Sequence, residues 1–527
     1  MNNKSDRIEI YDTTLRDGAQ GCGVNFSLED KLVIAEMLDS RGVDYIEGGY
    51  PLSNPKDEAF FDECLKRGLE NSKLVAFGMT RKKAGKAFDD AGMQALLNCS
   101  ASVVNIVGKS WQLHTQDVLS VSSQENLEMI SDSISLLAGA GREVIFDAEH
   151  FFDGYLADRS FALDTARAAF QAGAGRIVLC DTNGGTMPEN IAKIVQDVCS
   201  ELPDAIIGIH CHNDCDLATA NTLQAVSAGA THVHVTVNGI GERCGNTDLV
   251  PVVANLALKY SHHCLGKDGL AKLSEVSRFV YEISNMNPRD DQPYVGPSAF
   301  AHKGGMHVHA VNRNPVTYEH IDPELVGNAR RILVSELSGT SNIAVTVPAK
   351  FDIAEDKAAQ KKILDAVCLQ ESEGYQFESA EGSYDMLIRR TLGSKWYNPL
   401  WQLDHYRCMI LRRKDMEPST EATVKILIGD MVEHTVAEGD GPVDSLYRAL
   451  FAALRGHFET LDELHLVDYM VRVVNTAAET AAKVRVVIEW RNSRTDRAFG
   501  TVGVSENIID ASWLALVDAI EYMINEQ

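Results

Sequence analysis

Eight short apolar runs (8–11, 45–47, 74–77, 103–107, 143–146, 177–179, 206–210 and 232–237) alternate with helically patterned stretches such as 28–40, 125–140, 162–172 and 190–200. That alternation constrains the fold more than any other feature of the chain. Strands linked by helices run parallel, because each helical crossover carries the chain back to where the next strand begins. Eight strand–helix units in about 255 residues match the size of a closed (β/α)8 TIM barrel. The expected fold class is therefore α/β, with a barrel over residues 1–265. Beyond it the alternation stops. Residues 266–375 read as helical connector subdomains, with 354–371 as a solvated, Lys/Ala-rich helix. Over 376–527, strand runs at 423–428 and 484–490 and helical runs at 444–454 and 507–523 indicate a separate C-terminal α+β domain.

A formal net charge of -26 argues against a nucleic-acid or anionic-membrane surface, since both need basic patches. A small anionic substrate stays open, because one site needs only local positive charge or a metal. The 11 cysteines lack regular spacing. Cys211 and Cys215 are close, but no second pair completes a thiolate zinc site. The odd cysteine count and the lack of an N-terminal apolar segment point to a reducing, cytoplasmic setting. No run approaches the roughly 18 apolar residues that a membrane span requires.

A barrel of this kind carries its chemistry at the C-terminal ends of its strands. The first strand leads into Asp12-Thr13-Thr14-Leu15-Arg16-Asp17-Gly18-Ala19-Gln20, which offers a guanidinium fork and a carboxylate side by side. The seventh ends in His210-Cys211-His212-Asn213-Asp214, whose alternate imidazoles share one face of a strand. Closure of the barrel puts the seventh, eighth and first strands together, so Asp17, His210, His212 and Asn246 can converge. Two imidazoles and a carboxylate suit a divalent metal and leave positions open for substrate. His232-Val233-His234 has the same spacing, but it starts the eighth strand and reads as a satisfied polar pair away from the active rim. Arg16 fits either a structural ion pair or a post that holds a developing oxyanion. Glu149 fits a salt bridge as readily as catalysis, and Thr182 and Asn183 fit simple turn chemistry before Gly184-Gly185. Cys22, Cys180, Cys211 and Cys244 read as packing residues, because nothing supplies a base to activate a thiol.

These motifs, together with Asn238-Gly239-Ile240-Gly241-Glu242-Arg243-Cys244-Gly245-Asn246, resemble the metal-dependent Claisen-condensing barrels. That group includes the 2-isopropylmalate, homocitrate and citramalate synthases and related lyases. Asn54-Pro55-Lys56-Asp57, Asp147-Ala148-Glu149-His150-Phe151-Phe152-Asp153-Gly154-Tyr155, Ala299-Phe300-Ala301-His302-Lys303-Gly304-Gly305 and Leu337-Ser338-Gly339 look most like the long-chain citramalate synthases. Ala437-Glu438-Gly439-Asp440-Gly441-Pro442-Val443 and Thr501-Val502-Gly503-Val504-Ser505 resemble that family's regulatory domain, where an end-product amino acid binds between paired subunits.

The resemblance implies a metal (Mn2+, Mg2+ or Zn2+) on Asp17, His210 and His212, with Asn246 completing or bordering the shell. It implies substrate contacts from Arg16, Gln20, Asp147 and Thr182, and Glu149 as the base or the residue that orients it. His307 and Tyr318 are expected to serve the acyl-CoA, from the same or the partner subunit of a homodimer. The implied reaction joins acetyl-CoA to pyruvate and hydrolyses the thioester, giving citramalate for isoleucine synthesis, with isoleucine as the expected effector. The chain departs from the family pattern at Tyr50-Pro51-Leu52, where Trp-Pro-Gly is usual, at Met79, Val235, Cys22 and Gly23. Most of those departures are expected at or near strand ends facing the pocket. They keep open the same condensation on another 2-oxo acid; of the other rivals, the large C-terminal domain counts against a retro-Claisen lyase, and intact Arg16, Asp17, His210, His212 and Glu149 count against a barrel that has kept the fold and lost catalysis.

Overall fold

The computed structural model describes residues 7–526 apart from 267, 334–342, 344–346, 348–350, 354, 415–416 and 475–481, so Leu337-Ser338-Gly339 lies outside the described residues. The chain divides into two units, one of residues 1–300 with 321–329, the other of 301–320 with 330–527.

In the first unit all eight expected strands form and close in sequence order: β1 (Glu9–Asp12), β2 (Tyr45–Gly49), β3 (Lys73–Met79), β4 (Val103–Lys109), β5 (Glu143–Glu149), β6 (Arg176–Asp181), β7 (Ile206–Cys211) and β8 (His232–Val235). Every neighbouring pair is parallel, and β8 closes on β1 with His232 opposite Glu9 and His234 opposite Tyr11. The helix Leu28–Ser40 matches the sequence expectation, and its start is set by a capping box between Ser27 and Asp30. β8 is shorter than expected. The segment Val237–Gly239 forms a tight turn in which Asn238 takes φ 61°, and this ends the strand early.

Alternate strand residues divide two cores. Residues facing the helices, among them Ile10, Ile46, Val104, Phe146 and Val233, form the large outer core. Tyr11, Tyr45, Val75, Val103, Ile145, Val178 and Cys180 fill the barrel interior. The barrel is thus a packed core and not a pore. Polar groups occupy its ends. At the N-terminal end Arg176 makes a two-bond ion pair with Glu9 (2.6 and 2.7 Å), and Glu9 also lies 3.0 Å from His232 Nδ1.

The second unit contains a two-residue parallel pairing of β9 (Ala301–His302) with β10 (Arg331–Ile332) and the helices Gly305–Arg313, Lys357–Ser372 and Glu381–Leu392. The helix Lys357–Ser372 is not wholly solvated, as the sequence suggested. Ala359, Ile363 and Val367 pack with Phe351, Phe377 and Tyr384, while its lysines stay exposed. The remainder is a twofold repeat. β11 (Gln402–Leu411), β12 (Ser419–Ile428) and β13 (Met431–Gly439) form an antiparallel meander followed by the helix Pro442–Leu454. β14 (Leu464–Val473), β15 (Val484–Asn492) and β16 (Arg497–Ser505) repeat it before the helix Ile508–Asn525. Among the described residues no helix is long and apolar enough to cross a membrane.

Candidate active site

The segment after β1 folds back on itself. The N–H of Asp17 donates to Thr13 O at 2.9 Å, and the Thr14 hydroxyl bonds Asp12 while accepting from Val237 N–H at 2.8 Å. This ties the first loop to the eighth. Burial pushes the Asp12 carboxyl up to about 7 despite its bonds from Thr14, and those bonds hold the loop. The turn directs Arg16 and Asp17 over the barrel mouth.

Arg16 is fixed from three sides. Its Nε donates to Glu47 Oε2 at 2.7 Å, its guanidinium lies 4.1 Å above the Phe77 ring centre, and its Nη1 is 3.3 Å from Asp17 Oδ1. Glu47 is fully buried on β2 and also accepts from Tyr11 Oη (2.6 Å), Thr13 Oγ1 (2.5 Å) and Asn105 Nδ2 (3.1 Å). Sequence reasoning assigned Glu47 no role. Its signal was a carboxylate inside an otherwise apolar strand, which a buried site tolerates only when paired.

Asp17, His210 and His212 converge as expected. Asp17 Oδ2 lies 3.3 Å from His210 Nε2 and 3.9 Å from His212 Nε2, and the two imidazole nitrogens are 3.4 Å apart. A circle through three points so spaced has a radius of about 2.1 Å, the length of a metal bond to nitrogen or oxygen. These are the only His, Cys, Asp and Glu side chains among the described residues that group in this way. Asn246 closes the group, with its Nδ2 2.8 Å from Asp17 Oδ2, and its Oδ1 has no partner. Turning that amide over would present the oxygen to a cation, and side-chain amide orientation is assigned from its partners. Gly241 is required beside it, because a Cβ there would lie 1.8 Å from Asn246 Oδ1.

The electrostatics agree. Burial would raise Asp17, but the Arg16 charge and the His210 hydrogen bond outweigh it and hold the carboxyl well below the usual range. Burial, then the His210 charge, bring His212 down to about 4, so its nitrogen lone pair is available at neutral pH. Burial also pulls on His210, yet Asp17 leaves it raised. The donor set therefore fits a divalent cation.

Above this group lies a cavity of about 660 Å³. Of the expected residues, Arg16, Asp17, Gln20, Asp147, Glu149, Thr182, His210 and His212 all line it. Glu149 is ion-paired to Lys109, which also faces the cavity and which the sequence reading missed. Asp147 takes a 2.8 Å bond from Asn105, and burial pushes its carboxyl up to about 7. Thr182 accepts from His150 N–H at 2.9 Å through Oγ1, and from Arg243 at 2.8 Å through its backbone oxygen. His307 and Tyr318 belong to the second unit, where their rings stack at 4.0 Å.

Several expectations change. His232 and His234 lie inside the barrel. His234 stacks on Tyr11 at 3.8 Å and has His210 5.5 Å away, so the pair sits beneath the metal group and not remote from it. Cys22 and Cys244 are exposed, not packed, whereas Cys180 and Cys211 are buried and burial pushes their thiols up. Of the departures expected at the pocket, only Met79 lines the main cavity. Val235 faces the outer core, Leu52 borders a separate groove, and Tyr50 borders a smaller side cavity that shares Arg16, Gln20 and Phe77.

Residues 7–280 match the HMGL-like family, 294–370 the homocitrate synthase post-HMGL domain-like family, and 380–524 the LeuA allosteric (dimerisation) domain. The (R)-citramalate synthase of Aquifex aeolicus is 48% identical over 99% of this chain and 98% of its own length. That of Geobacter sulfurreducens is 46% identical over 98% of both. A probable 2-isopropylmalate synthase of Methanopyrus kandleri is 32% identical over 98% of both. A buried two-histidine, one-carboxylate group in a closed barrel, with this identity along the full length, leaves one conclusion: the chain belongs to the citramalate synthase family, within the wider group of 2-isopropylmalate synthase-like barrels.

Proposed function

We propose that the protein condenses acetyl-CoA with pyruvate and hydrolyses the thioester, releasing citramalate and CoA. Full-length identity to (R)-citramalate synthases carries this reading. The cavity contents support it, because they supply each group that the chemistry requires.

Asp17, His210, His212 and the oxygen of Asn246 would hold a divalent metal, which when bound supplies Lewis-acid polarisation of a carbonyl. The Thr182 hydroxyl, beside it, donates to the carboxylate of the 2-oxo acid, and Gln20 and Asp147 border the same substrate. Glu149 takes the methyl proton of acetyl-CoA, or orients the group that does, and its pairing with Lys109 keeps it aimed. As the new carbon–carbon bond forms, negative charge moves to the keto oxygen. Arg16, pinned by Glu47 and Phe77, presents its free N–H groups to the developing oxyanion without having to reorganise. Water then adds to the thioester carbonyl and CoA leaves as the thiol. His307 and Tyr318 are assigned to the acyl-CoA on the resemblance alone.

The barrel is the catalytic domain, 266–375 the connector, and 376–527 a regulatory domain that pairs two chains and takes an amino-acid effector, isoleucine first. Exposed apolar residues on its strands, such as Ile410, Leu411, Val432, Val436 and Val467, support the pairing. The same assignments place the enzyme in isoleucine synthesis in the cytoplasm, with Mn2+, Mg2+ or Zn2+ as the metal.

Release of CoA measured with a thiol reagent tests the reading. With acetyl-CoA and metal fixed, kcat/KM is compared for pyruvate, 2-oxobutyrate, 2-oxoisovalerate, 2-oxoglutarate and a phosphonate-bearing pyruvate. Pyruvate is expected within tenfold of the best, which is about 1.4 kcal/mol of transition-state binding. A larger deficit would transfer the reading to another 2-oxo acid, with Met79 the first residue to examine.

A further inference from the structure

Eleven described non-glycine residues have left-handed backbone, and two of them, His150 (φ 55°) and Arg243 (φ 55°), close on Thr182. Such conformations are costly for ordinary residues and concentrate where a site requires them. Arg243 holds the Thr182 backbone and is itself fixed by two bonds to Asp214, of 2.8 and 2.9 Å. His150 acts on the hydroxyl.

The peptide between Glu149 and His150 is the last of the β5 ladder. Its carbonyl accepts from Ser110 N–H at 3.1 Å on the β4 side. Its N–H therefore points the other way, to β6. The β5–β6 pairing stops at Ala148 opposite Leu179, short of the end of β6 at Asp181, and it is the Thr182 hydroxyl oxygen, just past that strand, that receives the bond. The left-handed turn at His150 is what lets the chain leave for the helix Phe151–Ala157 while this peptide stays in ladder orientation. The imidazole lies outside the strand. It packs at 4.0 Å on His114 and 5.7 Å on Trp111, next to the turn whose Val118 and Leu119 form part of the cavity wall.

We infer that His150 is a positioning residue: its strained backbone points the Thr182 hydroxyl hydrogen into the cavity as a donor for the carboxylate of the 2-oxo acid. Because Thr182 Oγ1 accepts from His150 N–H, its own hydrogen is left to donate. The inference rests on the proposed role of Thr182, and it assigns the task to the backbone of residue 150 and not to its imidazole.

The test is a series ordered by tolerance of left-handed backbone. Glycine and asparagine adopt it readily, alanine less so, and β-branched valine resists it most. KM for pyruvate, kcat, KM for acetyl-CoA and bound metal are measured for each variant. Thr182→Ala should raise KM for pyruvate about tenfold to a hundredfold, the worth of a hydrogen bond to a charged group, and Thr182→Ser should restore it. His150→Gly and His150→Asn should raise it less than threefold, and His150→Val tenfold or more, with metal content and KM for acetyl-CoA held. If His150→Val does not fold, His150→Ala should fall between the extremes. In the Thr182→Ala background His150→Val should add nothing further. Equal KM values across the series overturn the inference, as does an equal rise for every variant, which would make the imidazole the agent. A Thr182→Ala enzyme with unchanged KM instead overturns the role of Thr182 and, with it, this inference.

Discussion

Glu47→Gln isolates the support of Arg16 from Arg16 itself. The Glu47 carboxylate accepts four hydrogen bonds, from Tyr11, Thr13, Arg16 and Asn105, and is fully buried. Glutamine keeps the shape, but one of its two ends must be an N–H2. If that end faces Arg16 and Thr13, two donors meet a donor. If it faces Tyr11 and Asn105, the same conflict arises there, and the Arg16 bond keeps only a neutral acceptor. A charge-assisted bond is worth about 1.5–3 kcal/mol, and a buried charge left without its partner costs about 3–5 kcal/mol. Arg16 has a second support in Phe77 and some access to water, so the lower range applies. We expect kcat/KM to fall about 10²-fold, or about 2.7 kcal/mol, with kcat carrying most of the loss because Arg16 acts on charge that develops during reaction. Metal content should hold, since Asp17, His210 and His212 make no bond to Glu47. The assay is steady-state CoA release with metal determined on the same sample. A Glu47→Gln enzyme with kcat within threefold of native would refute this account of how Arg16 is held.

The double change His210→Ala with His212→Ala should abolish both bound metal and condensation, whereas His232→Ala with His234→Ala should keep the metal, as elemental analysis will read. Glu9 sets a pH test: burial would raise its carboxyl, but Arg176 and His232 hold it well below its ordinary 4.5. A depressed folded-state value means that the stabilisation is present above about pH 4.5 and is lost as pH falls below it. Glu9→Gln should therefore lower the barrel's melting temperature at pH 7, and its gap to native should narrow on acidification below 4.5; a gap independent of pH would count against the ion pair. Removal of residues 376–527 should abolish inhibition by isoleucine while some condensation remains, and inhibition that survives unchanged would locate the effector site in the barrel.

The regular elements were legible where burial leaves a periodic mark. Each barrel strand is covered on both faces, so each appears as an apolar run between helical stretches. In the C-terminal repeat only the neighbourhoods of β12 and β15, the central strands, stood out. β11, β13 and β14 are largely exposed and carry polar and apolar residues without alternation, so their sequences gave no face to read. Strand ends were legible as positions for chemistry, which is how Asp17, His210 and His212 were found. The departures at Leu52 and Val235 were misread for the same reason: proximity to a strand end says nothing of which way a side chain faces.

Sequence alone determined the closed parallel barrel and the donor chemistry at its mouth, because eightfold alternation and alternate histidines follow from local periodicity. Only the tertiary structure decided what each charged group does there. Glu47, Asp147 and Glu149 are all carboxylates near the ends of strands, and nothing in their neighbours along the chain separates them. One clamps Arg16, one is buried against Asn105 and holds its proton to about pH 7, and one is paired with Lys109 at the cavity wall. These differences arise from partners on other strands, set by barrel register, and from burial, which shifts a carboxyl through desolvation. Both depend on contacts across the barrel that no local stretch of sequence contains.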